Sequence, residues 1–334
     1  MADRVAERRD KVLRGLEVGR LRGLEIGPLS HPLVWREDGP VLYVDHATTA
    51  ELKVKNAGHP DIDVEAIVEV DAVWGDRTLK QCLDGREVDY VVASHVIEHV
   101  PDLITWLQEI EEALAPTGQL RLIAPDKRFT FDLFRRPTSL ADLLVAHLMR
   151  ARRPGLQQVV DFALNTVYAE SGWVRAGKVT TGSFTGNNGK LAALSTAERF
   201  LRTDDYIDLH CWAFSPADFA RLFQRASGYG LIRFRCAGFF DTEPGEHEFV
   251  VHLEKCADPD ACAASWADMA GTVAASPMEP FDFEDGAAAV ETVAELKRLL
   301  AARTAELAAV RNSRTWRATG PLRAMLTALR PRRR

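Results

Sequence analysis

The chain has 334 residues, of which 46% are hydrophobic and 27% are charged, with 22 glycines and 16 prolines. This composition is that of an ordinary globular protein, and it excludes collagen-like, disulfide-scaffold and wholly disordered chains. There is no run of about 18 apolar residues, and the N-terminus carries both charge signs, so we expect neither a membrane-spanning helix nor a signal peptide. A cytoplasmic location is therefore expected. The five cysteines are scattered without a CxxC pair, which favours reduced, structural thiols.

Charge is distributed unevenly along the chain. Residues 311–334 contain eight arginines and no acidic residue, and subtracting these charges from the total of −6 leaves −14 for the first 310 residues. The body of the protein should therefore repel polyanions, and we expect no nucleic-acid partner. The tail, in contrast, has the charge to dock on an anionic membrane surface or an acidic protein.

The first half of the chain alternates short apolar runs with helical or loop segments. Continuous apolar runs of this length are typical of buried parallel strands, because both faces of such a sheet are covered. After an N-terminal helix, the predicted strands are 24–26, 41–44, 66–70, 89–93 and 120–124. The sequence thus predicts an α/β fold with a Rossmann-like, mostly parallel sheet.

The second half adds an insertion and a tail to this sheet. Mixed helix and the polar run 180–189 predict a helical insertion that covers the ligand cleft. A helix beginning near Ser215 and an antiparallel pair of strands, 231–240 and 248–253, follow it. An Ala-, Pro- and Asp-rich stretch predicts a linker, and the apolar residues of 293–310 follow a heptad that suits a coiled coil, a helix on a partner or a solvated helix.

The predicted domains divide the chain at composition changes. They are 1–20, the N-terminal helix; 21–125, the cofactor-binding half of the core; 126–205, the cover insertion; 206–255, the rest of the core; 256–290, a linker; and 291–334, a coiled-coil-like helix with a basic tail.

Acidic residues and a glycine follow the ends of the predicted strands. Glu25 and Gly27 end the first strand, where a tight turn lets backbone approach a ligand. Asp45 ends the second strand, where a carboxylate can accept hydrogen bonds from ribose hydroxyls. Asp71 and Asp76 follow the third strand. Because these ends meet at one edge of a parallel sheet, their order along the chain predicts a binding site there.

From about Arg22 to Glu254 the sequence resembles the class I S-adenosylmethionine-dependent methyltransferases. Glu25 and Gly27 match the motif after the family's first strand, although Pro28 and Ser30 stand where further glycines are common, and the loop 97–102 (Ile-Glu-His-Val-Pro-Asp) is similar to the segment after its fourth strand. The resemblance implies S-adenosylmethionine as cofactor. The cofactor-binding residues it implies are Glu25, Gly27, Asp45, Asp71, Asp76, Ser94 and His95.

Three further segments are similar to proteins of one bacterial branch. The blocks 124–132 and 208–216 look like those of methyltransferases associated with surface polysaccharide and glycosyltransferase systems, and 312–323 is similar to C-terminal segments of polysaccharide-assembly proteins. These similarities imply a glycan or sugar-containing acceptor. They also suggest that the tail binds an assembly protein or the inner face of the membrane.

Transfer to a sugar hydroxyl is helped by a general base. The candidates are His95, His99, His210 and Asp126, and His210 is the first choice because it lies beside Trp212 in the block after the insertion. His95 and His99 are four residues apart, but no third ligand is spaced with them, so no metal site is predicted.

Other functions stay open at this point. A small-molecule methyltransferase of another pathway fits the same motifs. A nucleotide-binding oxidoreductase or epimerase is disfavoured by the missing GxGxxG after the first strand. A non-catalytic partner that kept the fold would use the C-terminal helix and tail.

Overall fold

The computed structural model describes residues 2–59, 62–75, 77–166, 190–203 and 206–273. Within these ranges seven strands form one sheet. The strands are β1 (Gly23–Ile26), β2 (Val41–Asp45), β3 (Ala72–Val73), β4 (Val88–Ser94), β5 (Leu114–Pro125), β6 (Phe234–Phe240) and β7 (Glu248–Lys255).

The strand order across the sheet is β3-β2-β1-β4-β5-β7-β6. The first five strands are parallel to one another, and β7 runs antiparallel to both β5 and β6. The order reverses between β1 and β4, and this switch point opens a crevice at the carboxyl ends of the strands. The predicted Rossmann-like, mostly parallel sheet is confirmed.

The third strand lies later than predicted. Residues 66–70 were expected to form it, but Asp63 caps a 3-10 turn at Val64–Ala66, and the strand is Ala72–Val73. The amide of Val68 donates to the loop carbonyl of Leu29, at 3.0 Å. The apolar residues before the strand therefore hydrogen-bond to loops instead of extending the sheet.

Helices cover both faces of the sheet, and three of the described helices lie within the insertion 126–205. They are α1 (Ala2–Leu13), α2 (Thr49–Lys55), α3 (Leu79–Cys82), α4 (Leu103–Ala113), α5 (Leu140–Leu148), α6 (Leu156–Asn165), α7 (Lys190–Arg202), α8 (Pro216–Gly228) and α9 (Pro259–Thr272). The start of α8 follows from its sequence, because Ser215 and Asp218 form a capping box around Pro216. The N-terminal helix ends at Leu13, earlier than the predicted residue 20, and Gly15 follows with φ of +79°.

The sheet is buried on both faces, as the apolar runs predicted. Along β4, Val91 and Ala93 belong to the larger apolar cluster, whereas Tyr90 and Val92 belong to a smaller cluster on the other side. The smaller cluster includes Val12 of α1. Alternate side chains of one strand thus fill both cores, which fixes the register of the sheet and the position of its carboxyl edge.

The predicted linker from residue 256 is wrong for its first part, which contains α9. Asp258 caps this helix by accepting hydrogen bonds from the amides of Asp260 and Ala261. Cys262, Trp266 and Met269 are buried, and their spacing of four and three residues is that of one helical face. Alanine-rich sequence with this spacing favours a packed helix over a linker.

Several earlier expectations concern residues that lie outside the described ranges. These are the polar run 180–189, Asp76, the heptad segment and the basic tail. In the described part of the chain, no helix is both long enough and apolar enough to cross a membrane. The five cysteines are free thiols, as expected.

Candidate active site

The turn after β1 approaches the loop after β4 closely. Gly27 has φ of +68°, a conformation that glycine adopts without strain, and a Cβ at this position would lie 3.0 Å from Cγ2 of Val96. Its amide donates to the carbonyl of Val44 at 2.9 Å. A glycine is therefore needed for the backbone to follow the sheet edge here.

Glu25 shapes this turn from inside the protein. The side chain is buried, and its two carboxylate oxygens accept hydrogen bonds from the amides of Leu33 (2.8 Å) and Val34 (3.0 Å). Burial raises the pKa of Glu25 to about 7, although both hydrogen bonds act in the opposite direction. The side chain thus holds the loop after β1 in place.

Two of the predicted acidic residues differ in what they contact. Asp45 is buried at the end of β2, and its Oδ1 accepts a hydrogen bond from the amide of His46 and lies 2.6 Å from Nδ1 of the same residue. In the described part of the chain Oδ2 has no such partner. Asp71 is instead engaged by the protein, because its Oδ2 accepts from the amide of Tyr43 at 2.7 Å and from Arg36 at 2.9 Å.

A cavity of about 160 Å³ lies at the switch point between β1 and β4. Arg8 of α1 reaches it, donating to Oγ of Ser94 at 2.7 Å and pairing with Glu248 of β7 at 2.6 Å. The lining residues are Arg8, Glu25, Gly27, Pro28, Leu29, Ser30, His31, Ile62 and Ser94. The N-terminal helix therefore contributes a cation to this cavity. The sequence does not predict this contribution, because nothing in the spacing of residues 2–20 shows where Arg8 points.

His95 follows β4 in a strained backbone conformation, with φ of +52°. Its Nε2 lies 2.7 Å from Glu248 and its Nδ1 lies 3.4 Å from Glu98. Burial alone would lower the pKa of His95, but these two carboxylates raise it to about 9. With its pKa raised to about 9, His95 is protonated at neutral pH, so it is a poor candidate for the general base.

Glu98 is the most enclosed acidic residue of the site. It is fully buried, and neither carboxylate oxygen has a partner in hydrogen-bonding geometry among the described residues. Burial would raise the pKa of Glu98, but the neighbouring histidines hold it below its usual value. The backbone around it is fixed, because its carbonyl accepts from the amide of Cys211 at 2.6 Å and Trp212 donates its Nε1 to the carbonyl of Val100.

Two more histidines lie beside Glu98, each with a carboxylate partner. Nδ1 of His210 lies 2.5 Å from Oδ2 of Asp132, and Nδ1 of His99 lies 2.9 Å from Oδ1 of Asp208. The rings of His99 and His210 are 4.8 Å apart between centroids and nearly perpendicular. The loop after β4 and the block after the insertion thus meet at this point of the structure.

The remaining candidates from the sequence have structural contacts. Asp126 is buried, is paired with Arg128 and accepts a hydrogen bond from Thr242, so its oxygens are already engaged. Trp212 and Phe214 belong to the apolar core. Asp126 is therefore set aside as a base.

Groups that can hold a metal ion also occur in the described ranges. Glu98, His99 and His210 form one set of three, and His95, His247 and Glu248 form another, each with its ligand atoms within 4.8 Å of one another. The spacing of residues around His99 does not reveal the first set, because its third member, His210, follows the insertion and comes close only in the folded chain.

A doubly wound sheet with a glycine turn and an acidic residue at the switch point defines a protein that binds a nucleotide-like cofactor. The chain belongs to the methyltransferase domain family, whose model matches residues 4–229. It is an S-adenosylmethionine-dependent methyltransferase. No match is found among the curated proteins.

Solved structures with similar folds have low sequence identity to this chain. One, described as a putative zinc-dependent alcohol dehydrogenase from Rhodobacter sphaeroides, is 13% identical over 75% of this chain and 89% of its own, with a TM-score of 0.37. A putative S-adenosylmethionine-dependent methyltransferase from Listeria monocytogenes is 10% identical over 76% and 99%, also with a TM-score of 0.37. Scores this low identify neither substrate nor reaction, and the family match defines the class.

The residues at the switch point fit the cofactor. When bound, S-adenosylmethionine supplies a methyl group activated by a sulfonium. Asp45 would hold the ribose hydroxyls through its free oxygen, and Gly27 would let the backbone approach the cofactor. Arg8, which is paired with Glu248, would face the methionine carboxylate from the cavity wall. Methyl transfer then requires mainly that the acceptor be aligned and lose one proton.

Proposed function

We propose that the protein is an O-methyltransferase that methylates a hydroxyl group of a glycan or sugar-containing precursor in polysaccharide biosynthesis. The observation that carries this proposal is the buried pair of His210 and Asp132 beside the cofactor edge. A hydroxyl is a weak nucleophile, and a histidine oriented by a carboxylate is a common way to remove its proton.

The pair is held in a geometry that suits a base. Oδ1 of Asp132 accepts a hydrogen bond from Arg135 at 2.9 Å while Oδ2 faces Nδ1 of His210. With its Nδ1 proton toward Asp132, His210 has Nε2 left to take a proton. In this proposal Nε2 takes the acceptor's proton as the acceptor oxygen displaces the methyl group from sulfur, and Asp132 stabilises the imidazolium.

A larger cavity, beside the block that follows the insertion, has room for a sugar acceptor. It has a volume of about 610 Å³ between α5, α6 and α7, and Cys211 and Trp212, which directly follow His210, line it. Volumes of about 300–1,000 Å³ are usual for small-molecule sites. Arg135, Arg136 and Asp142 are among its polar lining residues, and such groups can hydrogen-bond to hydroxyls.

The pathway part of the proposal rests on the sequence similarities. The blocks 124–132 and 208–216 and the tail segment 312–323 support a place in surface polysaccharide assembly. In this proposal the basic tail docks the enzyme on an assembly protein or on the anionic inner face of the membrane.

The test is methyl transfer to a panel of acceptors, measured as release of the demethylated cofactor. The panel contains nucleotide sugars, lipid-linked saccharides and catechol-type small molecules. We expect transfer to a sugar acceptor, a loss of at least 100-fold in kcat for His210→Gln with little change in cofactor affinity, and near wild-type kcat for the exposed control His59→Gln. Transfer only to non-sugar acceptors would refute the glycan assignment, and an active His210→Gln would refute the base.

A further inference from the structure

We propose that Glu98, His99 and His210 form a binding site for a divalent first-row transition-metal ion. The inference goes beyond the proposed function, and a bound ion would replace His210 in the role of base that the proposed function gives it. It rests on the side chains themselves, which come from the loop after β4 and from the block after the insertion.

The three residues offer the ligand types and the closeness that such an ion needs. One carboxylate oxygen and one ring nitrogen of each histidine lie within 4.8 Å of one another. Bonds of about 2.0 Å at tetrahedral angles place ligand atoms about 3.3 Å apart. The distance between Oε1 of Glu98 and Nε2 of His210 is 3.9 Å, so these two side chains would have to move slightly closer to hold an ion.

Glu98 provides a second, independent observation. Its carboxylate is fully buried and both oxygens lack a hydrogen-bonding partner in the described part of the chain, although a buried charge is costly without one. The lysine and arginine side chains nearby are engaged elsewhere, with Arg135 on Asp132 and Lys55 on Asp208. The imidazole of His95 lies 3.4 Å from Oε1 but leaves both oxygens without a partner in hydrogen-bonding geometry, and a metal ion would give the carboxylate a directly bonded positive partner.

Both histidines also have the outer carboxylate that is usual for metal ligands. Asp132 forms a hydrogen bond with Nδ1 of His210, and Oδ1 of Asp208 lies 2.9 Å from Nδ1 of His99, outside hydrogen-bonding geometry. Such carboxylates fix the tautomer and ring orientation and make the other nitrogen a better donor. Two imidazoles and one carboxylate leave coordination positions open, as in catalytic rather than structural sites.

Metal binding would change how the acceptor loses its proton. With the ion bound, Nε2 of His210 is a ligand and is no longer available as a base. A hydroxyl coordinated to the ion would have a lowered pKa, so the ion would take over the activation of the acceptor from the histidine.

The test is Zn²⁺ binding to the purified full-length protein after treatment with a chelator. We expect one equivalent bound by calorimetry and elemental analysis, a higher midpoint of thermal unfolding with Zn²⁺, and loss of both effects in Glu98→Gln and in His210→Gln. The matched control is His247→Gln, which alters the second three-residue set and should still bind one equivalent. Cofactor binding and circular dichroism verify that each variant is folded.

A measurement on the unaltered protein makes the result independent of the variants. X-ray absorption of the Zn²⁺-loaded chain should show two imidazoles and additional oxygen ligands. The proposal is overturned by the absence of binding, by binding that survives Glu98→Gln or His210→Gln, or by binding lost in His247→Gln. Since methyl transfer is assayed separately, failure here leaves the proposed function standing.

Discussion

Replacing Asp45 by alanine tests the cofactor site most directly. The residue lies at the end of β2 with only 4% of its surface exposed, and its Oδ1 is engaged by His46. Its other oxygen is the one that can accept a hydrogen bond from a ribose hydroxyl. Asp45→Ala removes this acceptor at the switch point and leaves the strand pairing of the backbone in place.

The expected loss follows from the strength of one hydrogen bond to a charged group. Such a bond contributes about 1.5–3 kcal/mol, so Asp45→Ala should raise the Kd for S-adenosylmethionine about 10- to 150-fold. The buried position supports the upper part of this range, because the hydroxyl would lose its partner where water has little access.

Isothermal titration with S-adenosylmethionine measures this effect. Asp71→Asn is the control: Asp71 directly precedes β3, the neighbour of β2 in the sheet, and its carboxylate is already engaged by Tyr43 and Arg36. Asparagine keeps the oxygen that accepts from the Tyr43 amide, so its Kd should change less than threefold. An unchanged Kd in Asp45→Ala, or an equal loss in both variants, would refute the assignment of the ribose site to Asp45.

Three other predictions concern stability and the tail. Trp266→Ala should lower the free energy of unfolding by about 3–5 kcal/mol, because the indole is fully buried and donates to the carbonyl of Phe234; a loss below 1 kcal/mol in urea unfolding would contradict the packing of α9. Burial, with a smaller effect of Arg121, lowers the pKa of His252 from 6.5 to about 4. As the pH falls, the unfolded chain therefore binds a proton at this histidine before the folded chain does. The free energy of unfolding should consequently fall by up to about 3 kcal/mol between about pH 6.5 and pH 4. His252→Gln should flatten this part of the profile, and equal slopes would refute the cause. A chain ending at Val310 should retain methyl transfer to a soluble acceptor but not sediment with anionic liposomes or an assembly partner; equal sedimentation of both chains would exclude this role for the tail.

The sequence was sufficient for most of the sheet because buried parallel strands are uniformly apolar. It misplaced β3, since residues 66–70 have the same apolar character but hydrogen-bond to loops, such as Val68 to Leu29. The Ala-, Pro- and Asp-rich composition of 256–290 is typical of a linker and does not reveal α9. The helical intervals between Cys262, Trp266 and Met269 carry the signal that identifies this helix.

The candidate site was only partly predictable for a different reason. Strand ends can be located along a sequence, so the sequence predicts Asp45 and Gly27 at the sheet edge. Arg8 and Asp132 reach the site from a separate helix and from the insertion, and no local pattern encodes those approaches. Glu98 lay within a recognised motif, but its burial depends on tertiary packing around the histidines.

The position of β7 in the sequence determines when the sheet can close during synthesis on the ribosome. Residues 119–125 of β5 pair with 248–254 of β7, so this edge of β5 stays open until about 120 further residues have been synthesised. At roughly 5–20 residues per second this takes about 6–24 seconds, during which an unpaired strand edge can pair with other chains. Glu248, the partner of Arg8, arrives with the same strand. The cofactor edge is therefore completed late in synthesis, and a nascent chain shorter than about 255 residues has neither a closed sheet nor a complete site.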